Sequence, residues 1–115
     1  MNMNKYQAVA KKAIDLEETA LTYLALGLVG EAGEVIELIK KYIYRGNKIS
    51  REAITHELGD VLFYLSQLAA WLDIPLEEVA KANIDKQKKR YPERFTEEEG
   101  TTMTKTRVAN DYTAD

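Results

Sequence analysis

Two acidic signatures, Glu31-Ala-Gly-Glu34 and Glu57-Leu-Gly-Asp60, constrain this chain more than any other feature. Each sets two carboxylates three residues apart, which on an α-helix puts both on one face about one turn apart. Each pair lies inside an apolar pattern of helical period. Leu28, Val35, Leu38 and Tyr42 surround the first, and Ile54, Val61, Leu65 and Leu68 the second. At roughly 100° per residue, both pairs fall on the border of the apolar stripe, where an ordinary solvated acid would sit opposite it. Two helices packed through those stripes bring four carboxylates together. Like charges at this spacing destabilise a helix by about 0.2–0.5 kcal/mol per pair, and withdrawing unpartnered carboxylates from water costs considerably more. The signatures contain no Lys, Arg or His to offset that charge. A hard divalent cation with oxygen ligands would offset it, and Mg²⁺ is the commonest that also binds phosphates. The competing reading makes these acids boundary residues that pair with lysines elsewhere.

Composition narrows the classes. The chain has 115 residues, enough for one domain with a modest core. Its formal net charge of -3 argues against a general nucleic-acid binder, which carries a basic surface. The lack of cysteine excludes a disulfide framework and a thiolate zinc site, and the single histidine, His56, excludes a multi-histidine metal site. No apolar run reaches membrane-spanning length and no signal-peptide pattern opens the sequence, so the expected location is cytoplasmic with no membrane partner.

Along the chain, residues 4–13 read as a short helix with Asn4 as N-cap. Residues 15–20 are polar and read as a loop. A second helix is expected from about Leu21 to Tyr44; Gly27, Gly30 and Gly33 inside it each cost about 1 kcal/mol relative to Ala and suggest close approach of a helix or ligand. Gly46 is its C-cap, and Ser50 is the N-cap of a third helix running to about Leu72. Asp73-Ile-Pro ends that helix. Pro75 opens a fourth, which reaches Arg90 and stops at Tyr91-Pro92. Residues 96–115 lack a helical stripe and read as a polar, flexible C-terminal tail after a catalytic domain of residues 1–95.

Three elements in order carry a resemblance: Gly27-Leu-Val-Gly-Glu-Ala-Gly-Glu-Val, then His56-Glu-Leu-Gly-Asp-Val-Leu-Phe-Tyr, then Asn83-Ile-Asp-Lys86 ahead of Arg90-Tyr91-Pro92. Together they resemble the MazG-like all-α nucleoside triphosphate pyrophosphohydrolases, relatives of the dimeric dUTPases and dCTP pyrophosphatases, over roughly residues 4–95. The resemblance implies an all-α bundle of four main helices, with E-x-x-E and E-x-x-D on two facing helices, assembled as a homodimer or homotetramer. It implies a Mg²⁺ cofactor, with Mn²⁺ as substitute, held by Glu31, Glu34, Glu57 and Asp60. It also implies attack of water at the α-phosphorus of a nucleoside triphosphate, giving a monophosphate and pyrophosphate. Any of the four acids could serve as general base.

Asn83, Lys86 and Arg90 share one face of the fourth helix, and one amide with two cations suits a polyphosphate chain. The bland reading makes Lys86 and Arg90 part of a solvated basic face, and the match to Asn-x-x-Lys favours the substrate-binding one. Candidates for stacking on the base are Tyr6, Tyr23, His56, Tyr64 and Trp71, with Trp71 read as packing. The alternative function is a non-catalytic helical interaction module that retains the bundle. A di-iron carboxylate bundle would need Glu-x-x-His, and position 53, three before His56, is Ala53.

Overall fold

The structure is a computed structural model that describes residues 1–14 and 20–96 and the backbone of 111–112. Four helices dominate it: α1 (Met3–Ala10), α2 (Ala20–Arg45), α3 (Arg51–Trp71) and α4 (Leu76–Arg90). Single 3₁₀ turns follow α1 (Lys11–Ala13) and α4 (Pro92–Phe95). A two-residue antiparallel ladder joins β1 (Ile49–Ser50) to β2 (Asp111–Tyr112), with Ile49 opposite Tyr112. The architecture is all-α, as expected. Of the expected loop, Ala20 instead opens α2, and its other residues and most of the expected tail lie outside the described residues.

Local chemistry explains most helix ends. Gly46 turns the chain after α2 with φ 66°, a left-handed conformation open to glycine. The Ser50 hydroxyl oxygen accepts from Ala53 N at 3.2 Å and starts α3. Asp73, at φ 60°, closes α3, and Ile74 N donates back to Ala69 O at 2.8 Å. Pro75 then sits at the N-cap of α4.

The expected cap of α1 needs correction. Asn2 caps it, accepting from Lys5 N at 2.8 Å. The Asn4 side chain caps α4 instead, accepting from Glu77 N at 3.0 Å, while Met3 N donates to Glu77 Oε1 at 3.1 Å. Both asparagines are competent caps, and the tertiary partner decides which end each one serves.

α2 and α3 pack as an antiparallel hairpin, the most extensive contact in the fold. α1 lies across α3 and α4 and is fastened by a buried polar knot. Gln7 Nε2 donates to Ser66 O and Ile74 O, both at 3.0 Å, and Gln7 Oε1 accepts from Leu76 N at 3.1 Å. Gln67 Nε2 donates in turn to Gln7 O at 3.1 Å. Among the described residues the buried apolar ones are Ala20, Leu24, Ile49, Ala69 and Leu76.

Much apolar surface stays outside. Leu26, Val29, Ile36 and Ile43 on α2 are 57–71% exposed, and Leu58 and Leu65 on α3 and Leu72 at its C-cap are 36–53% exposed. Leu65 is therefore not a core residue of the single chain, and Trp71, read as packing, is 44% exposed. Among the described residues no helix is long and apolar enough to cross a membrane.

Candidate active site

The hairpin sets the geometry of the signatures. Because α2 and α3 run antiparallel, positions whose numbers sum to about 88–91 face each other. That register brings Glu31 opposite Glu57 and Asp60, and one carboxylate oxygen from each lies within 4.8 Å of the other two. Glu34 stands one turn further along α2, exposed, and its charge also bears on Glu31. Withdrawal from water, followed by the charges of Asp60, Glu57 and Glu34, pushes the Glu31 carboxyl above its ordinary range.

The donor set is made of hard oxygens, and the observed spread is on the scale of one hexacoordinate divalent ion, whose opposed ligands stand about 4–5 Å apart. The residues present therefore fit a hard divalent cation. Three side-chain contacts among the described residues run elsewhere: Lys40 with Glu37, His56 with Glu52, and Lys81 with Asp85, each at 3.9 Å. None of these three neutralises a signature acid.

Three tyrosines border the cluster. Tyr64 lies one turn beyond Asp60 on α3, and its hydroxyl is 3.4 Å from that of Tyr23 on α2. The hydrogen bond to Tyr23, then burial, then the charges of Glu31 and Asp60 hold the Tyr64 phenol protonated, its pKa pushed up to about 12. Tyr6 reaches the same edge from α1; burial and the charge of Asp60 raise its pKa. Of the other aromatic candidates, His56 turns along α3 to Glu52, and Trp71 is about three turns past Asp60.

Asn83, Lys86 and Arg90 are solvent-exposed on α4, and no hydrogen bond or ion pair described here joins them to the four acids. A cavity of about 360 Å³ also lies away from the carboxylates, beneath α1, lined by Asn4, Gln7, Lys11 and Asp73 among others.

Sequence reasoning missed the pairing of Tyr64 with Gly27. A Cβ on Gly27 would collide with the Tyr64 ring. Gly30 and Gly33, expected to mark close approach as well, have nothing within 4 Å of such a Cβ. A glycine one turn before Glu31 and a large aromatic one turn after Asp60 were the available signal.

Residues 18–95 match the family described as MazG nucleotide pyrophosphohydrolase domain. A protein of Mycobacterium phage L5, Gene 37 protein, is 39% identical over 74 residues, which cover 61% of this chain and 65% of the phage protein. Mouse dCTP pyrophosphatase 1 is 39% identical over 75 residues, 60% of this chain and 44% of that enzyme. The bovine enzyme of the same name is 37% identical over the same shares. The chain thus spans about two-thirds of the phage protein and under half of the mammalian enzymes. No solved structure matches the chain at a significant level.

Proposed function

The chain belongs to the MazG nucleotide pyrophosphohydrolase domain family, and from that premise we propose that it hydrolyses a nucleoside triphosphate to the monophosphate and pyrophosphate. The observation that carries the reading is the meeting of Glu31, Glu57 and Asp60, from two helices, within 4.8 Å. In this reading Glu31, Glu34, Glu57 and Asp60 hold Mg²⁺, or Mn²⁺ in its place. The bound ion would neutralise the triphosphate and acidify a water. One of the four carboxylates takes the proton as the water oxygen bonds to the α-phosphorus. The α–β phosphoanhydride bond breaks, and pyrophosphate leaves with the electron pair.

Asn83, Lys86 and Arg90 are assigned to the polyphosphate chain, where an amide and two cations match anionic oxygens. Tyr6 and Tyr64, which feel the charge of these acids, and Tyr23 beside Tyr64 are the aromatic surfaces assigned to the base. The mammalian relatives named dCTP pyrophosphatase make dCTP the first nucleotide to try.

We assign the exposed stripes of α2 and α3 to contact with a second copy of the chain, as a homodimer or homotetramer. Val29, Ile36 and Ile43 recur every seventh residue, as do Leu58, Leu65 and Leu72, the pattern of helix faces that pack on other helices. The open faces of Gly30 and Gly33 lie beside the first stripe.

The test is incubation with a panel of ribo- and deoxyribonucleoside triphosphates, with Mg²⁺ or with excess chelator. Monophosphate and pyrophosphate formed only with metal is the expected result. A diphosphate product, or turnover undiminished in chelator, refutes the mechanism. No hydrolysis of any nucleotide leaves the non-catalytic interaction module, which the exposed apolar stripes would also suit.

A further inference from the structure

The two residues one turn outside the acidic cluster meet each other. Gly27 precedes Glu31 by four positions on α2, and Tyr64 follows Asp60 by four on α3. In an antiparallel pair those offsets fall on the same side of the carboxylates. The Tyr64 ring occupies the space in which a side chain on residue 27 would begin.

Its other edges are held as well. The Phe63 ring packs edge-on at a centroid distance of 5.3 Å, and the Tyr23 ring lies at 6.1 Å with the two hydroxyls 3.4 Å apart. An aromatic plate trapped between two helix backbones fixes their separation, because packed interiors do not compress. The separation it fixes is the one that Glu31 must span to reach Glu57 and Asp60. Gly30 and Gly33 do nothing comparable, since each faces open space.

We propose that Tyr64 is a positioning residue of the site: its ring, seated in the space left by Gly27, sets the distance between α2 and α3 at the carboxylates. This rests on the metal-site reading above. Gly27 is its required partner, because any side chain there displaces the ring. Displacement splays the helices and pulls Glu31 away from the two acids of α3. Neither residue supplies a ligand atom to the carboxylate set.

The test reads Mn²⁺ affinity, followed by the paramagnetic signal of free Mn²⁺, so it needs no nucleotide. Gly27→Ala, Tyr64→Ala and the double variant are compared with the wild-type chain, and the melting temperature is recorded for each. Supporting groups that orient metal ligands typically change affinity by about 10–100-fold when lost, and Gly27→Ala is expected to weaken Mn²⁺ binding by that order. With the ring absent, residue 27 has nothing to displace. The double variant should therefore bind Mn²⁺ within about twofold of Tyr64→Ala alone, a departure from additivity that marks direct coupling.

If Gly27→Ala does not fold, recovery of folding in the double variant supports the same contact, and Tyr64→Ala still reports the loss of affinity. Wild-type affinity in Gly27→Ala overturns the proposal, as does an equal loss in both backgrounds or wild-type affinity in Tyr64→Ala. A wild-type chain that binds Mn²⁺ without hydrolysing nucleotides removes the function reading and leaves this one standing. One that binds no Mn²⁺ overturns both.

Discussion

Glu31 faces the charges of three neighbouring carboxylates. Burial and three neighbouring carboxylates raise its pKa, so the folded chain holds this proton more firmly than the unfolded one. Its contribution to stability is complete below the ordinary value of 4.5 and is lost as pH rises through the elevated folded value. In chelator, the melting temperature of the wild type should fall across that window more steeply than that of Glu31→Gln. Added Mg²⁺ should flatten the difference, because the cation replaces the proton as the compensating charge. Equal slopes for the two proteins would remove Glu31 from the cluster. Asp60→Asn keeps the shape and removes a charge. It should lower kcat by roughly 100-fold or more, the usual effect of losing one preorganised electrostatic group, without lowering the melting temperature of the metal-free protein. Leu24→Ala is the contrast: Leu24 is fully buried, and its truncation should cost about 2–5 kcal/mol. Lys86→Ala should raise KM along with any fall in kcat, since a phosphate contact is made before and during the reaction. Steady-state kinetics beside thermal melts separate these outcomes. At this scale the meeting of Glu31, Glu57 and Asp60 was legible because helical period places them at the edge of a stripe, whereas Glu34 lies outside that group. The Gly27–Tyr64 contact was not, because it depends on the register between two helices.

Helix ends were readable wherever a short-range device sets them. Ser50, Gly46, Pro75 and Pro92 each act within a few residues, and the observed limits of α2, α3 and α4 lie within one residue of those expected. α1 escaped for the opposite reason. Asn2 and Asn4 are equally good caps in sequence, and Glu77, more than seventy residues away, claims Asn4. Gln7 gave no signal at all. A glutamine on a weakly apolar helix reads as solvent-facing, yet its amide closes three hydrogen bonds to the end of α3 and the start of α4. Removing one partner from a buried bond leaves the others unsatisfied at about 1–3 kcal/mol. Gln7→Ala should lower stability by that order in chemical denaturation. A loss no larger than that of an exposed substitution would show that α1 is held by its apolar contacts instead.

At the level of the whole molecule, the apolar stripes read from the sequence are only partly interior. Leu65 and Trp71 belong to apolar patterns that a sequence cannot divide between a chain's own interior and the surface it offers to a neighbour. Ile36→Lys and Leu58→Lys test that division. A charge on either exposed stripe should reduce the mass seen by light scattering to that of one chain, with helicity retained. Unchanged mass would remove these stripes from the contact. The buried knot at Gln7 also has a temporal consequence. α2 and α3 meet through a short turn, whereas the bonds of α1 close loops of 59–74 residues. Short loops close before long ones, so the hairpin should form first and α1 should dock last. The amides of Leu76 and Glu77, bonded only to α1 side chains, should then exchange with deuterated solvent at the rate at which that first helix lifts away, while the centre of the hairpin remains protected.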